Sequence, residues 1–278
     1  IYNPTTATIS LTNYRLYNAS FSSTVDAGSD CHYYDHVTNP TCGTAFGDFD
    51  LQFPSGSTIA PNQALVIAIT GAANYRNWCD GGCTADFEIP DPASDDPNVT
   101  NMQGVWDQNA QNFTGFGFLT NASEDLVLYS WNGSTSSQVV DHDYFIWGTS
   151  TSVRTSKTGI GSYAADTPIT SQRPITQTVT VPLTFQRACY NEGTETATGG
   201  NGLSGHDETS EDLNTTWTVG PQSMGAKTPN TVTAAAPPAS REAQRSRPGR
   251  SVRAKARTMP PSAMRVAASA PRSTARRM

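Results

Sequence analysis

Apolar and polar positions alternate along this chain in short runs, each cut off by turn residues. The strongest apolar run is Leu65 to Ile69, inside the stretch Phe53–Ile69 (FPSGSTIAPNQALVIAI). Pro61-Asn62 leads into it, Gly71 closes it, and three of its five residues are β-branched. A run too short for a helix and bounded by turns predicts a fully buried strand. Upstream, Ile9 and Leu11 share one face of an opening strand within Ala7–Asn18. Asn13 marks a bend before a second short strand through Leu16 and Tyr17.

The pattern is clearest between Asp125 and Trp147. Asp125–Trp131 (DLVLYSW) and Val139–Trp147 (VVDHDYFIW) flank Asn132-Gly133, which predicts a hairpin. Strict alternation puts Val140, His142, Tyr144 and Ile146 on one face of its second strand. Val139, Asp141, Asp143, Phe145 and Trp147 fall on the other. Leu183–Tyr190 and Thr215–Val219 read as two further strands. The period is two wherever a period exists, so the expected class is all-β.

Three aperiodic insertions separate these strands, at 19–50, 72–113 and 148–181, with a Gly-rich acidic loop at 191–212. Prolines 90, 92 and 97 argue against regular structure in the second insertion. Loops this long need internal order or a function of their own.

Charge divides the chain in two. Residues 1–230 hold 7 Lys+Arg against 23 Asp+Glu, whereas 231–278 hold 11 Lys+Arg against the single acid Glu242. The first part is rich in Thr, Ser, Asn and Gly with aromatics throughout, as expected for a turn-rich β domain. Its acidity argues against nucleic acid as a partner, because phosphates need a basic footprint. The second part has no Trp, Tyr or Phe and cannot bury enough apolar surface to order itself, so a disordered basic Ala/Arg/Pro tail is expected. Two origins stay open for it: a basic arm for anionic polymers, or the product of out-of-frame reading of a GC-rich gene. No run of 18 apolar residues occurs, so no membrane-spanning helix is expected.

Five cysteines stand at 31, 42, 79, 83 and 189. The close pairs Cys31/Cys42 and Cys79/Cys83 sit in polar loops, which predicts two local disulfides with Cys189 left over. That favours an extracellular or cell-surface location over reduced thiols in a cytosolic chain.

Candidate chemistry is sparse. Cys31, His32, Asp35 and His36 are competent zinc ligands, but the paired spacing of zinc sites is missing. Asp91, Asp95 and Asp96 are the candidate calcium ligands, although they lack the alternating D-x-D-x-D-G pattern. His142 lies between Asp141 and Asp143 but projects away from both, which is wrong for an Asp–His couple. No nucleophile elbow, phosphate-binding Gly loop or metalloprotease helix is found. No catalytic residue and no bound cofactor other than calcium is therefore expected.

The order of segments resembles the lamin-tail domain in its secreted bacterial form. The residues that carry this are Asn3-Pro4-Thr5, the strand Leu11–Leu16, and the F-P-x-G-x-x-I-x-P turn at Phe53–Pro61. They continue with Leu119–Tyr129 and the closing Gly225–Asn230. The resemblance covers about 1–230 and implies an immunoglobulin-like β-sandwich; the strand that the family has before Asn3 is absent, which suggests truncation at the N-terminus.

The function expected from all this is a non-catalytic extracellular interaction or attachment module of a larger secreted or surface protein, taking a protein or a cell-surface polymer as partner. Two alternatives are an accessory domain of a secreted hydrolase or nuclease, and a calcium-assisted carbohydrate-binding module. The latter would use Tyr33, Tyr34, Trp78 and Trp106 as exposed aromatics.

Overall fold

The computed structural model describes residues 1–18, 32–37, 48–78, 82–89, 91, 93–104, 119–134, 136–177, 179, 183–188 and 199–221. All of them fall in the first of two units into which the chain divides, Ile1–Ala235; the second, Ala236–Met278, holds none of them. The tail 231–278 and its expected disorder therefore lie outside what can be described.

The described fold is all-β, with short helices in its connections. Its strands are β1 (Ile9–Ser10), β2 (Tyr14–Asn18), β3 (Phe49–Gln52), β4 (Thr58–Ile59), β5 (Ile67–Ala68) and β6 (Phe87–Glu88). They continue with β7 (Thr100–Asn101), β8 (Gln103–Gly104), β9 (Ser123–Ser130), β10 (Val140–Gly148), β11 (Leu183–Arg187) and β12 (Trp217–Pro221). The main sheet has five strands in the order β10-β9-β2-β3-β8, antiparallel throughout. Smaller sheets pair β1 with β4, β11 with β12, and β5-β6-β7, the last of these parallel.

Both faces of the main sheet are covered, and the register shows how. Cross-strand partners point the same way. Arg15, Tyr129 and Asp141 therefore share one face with Tyr17, Val127 and Tyr144. Tyr33 packs on that face, its ring 5.3 Å from Tyr17 and 4.9 Å from Tyr129. Leu16, Leu51, Leu126, Leu128 and Phe145 point the other way. At the β2–β3 end this second face meets Phe53, Ile59, Phe87, Ile89 and Met102. At the β10 end, Phe145 packs against Phe185 and Trp217 of the β11–β12 pair, with ring centroids 5.2 and 4.1 Å apart.

The hairpin between 125 and 147 is present as β9 and β10, but the nine residues 131–139 join its strands, not a two-residue Asn-Gly turn. Trp131 instead donates its backbone N–H to Asn13 O, extending the pairing toward β2. A β-bulge lies between Asp141 and Asp143, so that Asp141 opposes Tyr129 and Asp143 opposes Leu128. The extra residue breaks the alternation. The two aspartates therefore project to opposite faces, which corrects the expectation that they share one.

Leu65–Ile69 is corrected as well. Only Ile67–Ala68 form a strand there, and the run changes partner along its length. Leu65 exchanges backbone bonds with Ile1, whereas Val66 O and Ala68 O accept from Phe87 and Ile89. Leu65 and Ala68 are buried, but Val66, Ile67 and Ile69 remain half-exposed.

The second insertion contains helix α1 (Ala72–Trp78), as well as β6, β7 and β8. Gly71 precedes the helix and has no side chain to cap it. The buried Glu88 supplies the carboxylate instead, accepting from Ala72 N at 2.6 Å and also from Asp96 N. A tertiary cap of this kind is invisible to local sequence pattern.

Candidate functional site: a polar cleft beside a buried lysine

The segment 32–37 lies over the main sheet and reaches the turns that follow β9 and β10. Together they enclose a cleft of about 180 Å³ in which Asp35, Ser137, Gln138 and Ser162 stand beside the rings of Tyr34 and Tyr163 and the apolar Val37 and Ile160. Its walls bond to each other: Gln138 Nε2 donates to Ser162 Oγ at 3.1 Å, and Val139 N donates to the Tyr163 hydroxyl at 3.1 Å. The Tyr34 and Tyr163 rings stand 6.1 Å apart. Partial burial raises both the Asp35 carboxyl and the Tyr163 hydroxyl; the His32 N–H pulls Asp35 back, and that of Val139 does the same for Tyr163. The cleft thus presents hydrogen-bonding groups beside aromatic ring, an arrangement suited to hydroxyl-rich ligands.

A second cleft, of about 190 Å³, follows the seam where β11 meets β10, between Leu119, Leu126, Phe145, Trp147, Leu183 and Phe185. It continues the apolar packing of that seam and offers few groups to orient a polar ligand.

Behind the polar cleft lies Lys157, the sole lysine in residues 1–221 and fully buried. Its Nζ is 2.6 Å from Asp141 Oδ2, 3.0 Å from Asp166 Oδ2 and 3.0 Å from the Tyr33 hydroxyl. Asp166 also accepts from the Lys157 backbone N–H at 2.6 Å. Burial pulls the ammonium down, but the two carboxylates outweigh it and leave Lys157 above its ordinary range. Burial raises Asp166, with the Lys157 charge opposing. A buried charge persists only when paired in this way. The cluster ties strand β10, the 153–166 loop and the 32–37 segment together, and so holds two walls of the cleft.

The residues singled out in the sequence are placed as follows. Tyr33 and Tyr34 are core residues, 0% and 5% exposed, so they are not the open aromatics that glycan stacking would use. An aromatic-rich loop over a sheet is drawn into the core because its rings bury so much apolar area. Trp78 is exposed, and Trp106 lies outside the described residues.

His32 stacks on Tyr34, and its Nδ1 is 3.3 Å from Thr155 Oγ1. Burial first, and the Lys157 charge second, push it down to about 4. Asp35 Oδ2 accepts from His32 N, closing a local turn, and Cys31 lies outside the described residues. His142 is half-buried against Tyr14, with Nε2 2.8 Å from Ser130 Oγ. No carboxylate among the described residues hydrogen-bonds it. A serine–imidazole pair without an orienting acid lacks the third member of a hydrolytic triad.

Asp91, Asp95 and Asp96 do share one loop, in which the protein itself bonds to the carboxylates of Asp91 and Asp96. Asp91 accepts from Ala93 N and from Ser94 Oγ, at 3.0 and 2.7 Å. Asp96 accepts from Asn98 N at 3.0 Å and pairs with Arg76. Among the described residues no group of three or more His, Cys, Asp or Glu is arranged to hold a metal ion. Cys83 is buried and disulfide-bonded. Cys31, Cys42, Cys79 and Cys189 lie outside the described residues, and the two expected pairings lie there with them.

Lys157, Asp166 and Tyr163 carry no motif and fall in an aperiodic insertion, so sequence pattern does not mark them as site residues. The one signal was compositional: a single lysine in a long acidic stretch. Comparison of the chain with protein-family models, curated proteins and solved structures finds no match.

Proposed function

We propose that this chain is a non-catalytic extracellular attachment module, built on an immunoglobulin-like β-sandwich of the lamin-tail kind, that holds a larger secreted or surface protein to a hydroxyl-rich cell-surface polymer. The observation that carries this reading is the polar cleft between 34–35, 136–138 and 160–163, whose walls are fixed from behind by the buried Lys157 cluster. A preformed cleft with converging hydroxyls, an amide and a tyrosine ring suits a neutral polysaccharide, because the geometry is in place before binding. The disulfide at Cys83 supports an extracellular setting. The reading uses no calcium; Asp91 and Asp96 each accept hydrogen bonds from their own loop.

The test is calorimetric titration of the full chain with soluble polysaccharides, among them xylan, β-glucan and peptidoglycan fragments. Saturable binding to one class that survives EDTA and weakens at least ~10-fold in Gln138→Ala/Ser162→Ala is expected. Absence of binding to every class sinks the attachment reading. Sustained turnover of peptide, phosphodiester or glycoside substrates sinks the non-catalytic one.

A further inference from the structure

Lys157 is held in an arrangement that goes beyond an ion pair. Its Nζ sits between two carboxylates, 2.6 Å from Asp141 Oδ2 and 3.0 Å from Asp166 Oδ2, with side-chain exposures of 0%, 2% and 1%. The Tyr33 hydroxyl lies 3.0 Å from the same nitrogen, and its ring centroid is 5.4 Å away. The other oxygen of Asp141, Oδ1, is buried with no hydrogen-bond partner. A buried oxygen without a donor is costly to keep in the folded protein. The two carboxylates also differ: Asp166 is bonded to the Lys157 backbone N–H as well, whereas the Asp141 side chain meets the amine and the Tyr33 hydroxyl.

We propose that Lys157 and Asp141 condense to an intramolecular isopeptide bond, with Asp166 as the proton carrier. The ammonium first passes a proton to Asp141 Oδ2, giving a neutral amine and a neutral carboxylic acid. The Nζ lone pair then attacks Cγ of Asp141, forming the Nζ–Cγ bond and a tetrahedral centre. Asp166 takes a proton from Nζ and delivers it to the departing hydroxyl. The Cγ–O bond breaks, one water leaves, and Asp166 returns to its starting state. The sum is ammonium plus carboxylate giving amide plus water, with no oxidant, reductant or activating group required.

Four features of the site favour this step. The amine and the carboxyl are held in contact, which replaces a bimolecular encounter with an intramolecular one. The surrounding Tyr33, Tyr144 and Tyr129 rings are fully or almost fully buried, which keeps bulk water from reaching the product and hydrolysing it. Burial also removes the solvation that otherwise stabilises the separated ions, whereas the amide carries no charge to desolvate. The acid with the raised proton affinity, Asp166, is the one placed to carry the proton.

The bond would join β10 to the loop behind the polar cleft. Its test is the intact mass of the full chain, denatured and with disulfides reduced. A mass lower than that of the sequence by one water, with a branched peptide joining residues 141 and 157, is the expected result. Lys157→Arg keeps the positive charge but cannot form this amide, so its mass should be that of its sequence. Asp166→Asn should slow formation at least ~100-fold, leaving mostly unlinked chain after synthesis. An unmodified mass for the parent chain overturns the proposal. So does a water loss that maps elsewhere or persists in Lys157→Arg.

Discussion

Asp141 and Asp143 lie on one strand with a single residue between them, yet they face opposite sides of the sheet. Asp141 meets the fully buried Lys157, whereas Asp143 meets the Arg187 guanidinium at 2.9 Å, in a pair that is partly open to solvent. Their removal should therefore differ sharply in cost. Asp141→Ala leaves a buried ammonium short of a partner and also removes the proposed link to Lys157, so it should cost at least about 3–5 kcal/mol. Asp143→Ala should cost less than about 1 kcal/mol. Urea denaturation of the two variants checks this, and equal costs would contradict the two-faced strand.

Asp50 is fully buried under Tyr129, whose hydroxyl donates to it at 2.7 Å. Burial raises its carboxyl to about 7, with the Tyr129 bond and Arg15 acting in the opposite sense. Burial also raises Glu124 to about 7. In the unfolded chain both acids lose their protons near their ordinary values, so between those values and about 7 the folded state binds more protons. Their contribution is complete at low pH and is lost as pH rises through about 7. His32 acts oppositely, since its depressed value of about 4 removes stability as pH falls below its ordinary range. Melting curves across this range should show Asp50→Asn gaining stability relative to the parent chain as pH rises. A constant difference at every pH would contradict the buried acid.

Gly133 and Gly148 both have φ near +80°, in the left-handed region. Around Gly133 a Cβ would meet open space, but at Gly148 it would run into the Ala122 carbonyl and the Ser123 side chain. Gly133→Ala should cost only the conformational strain, about 1–2 kcal/mol. Gly148→Ala adds overpacking at the end of β10 and should cost about 3 kcal/mol or more. Thermal denaturation of the pair gives the comparison.

The Tyr144 hydroxyl accepts from Thr155 N at 2.8 Å and donates to Gln172 Oε1 at 3.2 Å, all within the core. Tyr144→Phe keeps the ring and strands a buried backbone N–H. A loss of about 1–3 kcal/mol in chemical denaturation is expected. Hydrogen exchange at Thr155 should quicken first, because that is the donor left without its acceptor.

How much of this was legible follows from which forces were local. The β9–β10 hairpin declared itself through period-two alternation, and β2 through Leu16 and Tyr17. The bulge did not, because His142 occupies a place that an unbroken alternation also fills. Tyr33 and Tyr34 looked like loop aromatics, and only the sheet beneath them shows why they are buried. Lys157 and Asp166 lie in a stretch without periodicity, and Asp141 comes from a different element, so no spacing rule could join them. No local signal marks helix α1, because its cap is Glu88, sixteen residues downstream.

That carboxylate has a further consequence for how the molecule opens. Glu88 belongs to β6, receives the first amide of α1, and receives the amide of Asp96. Asp96 in turn holds Arg76 from within the helix. Helix, strand and acidic loop are thus closed into one ring of bonds, and none can fray while the others stay. This corner of the protein should come apart as one cooperative unit, its amides exchanging together at a common rate.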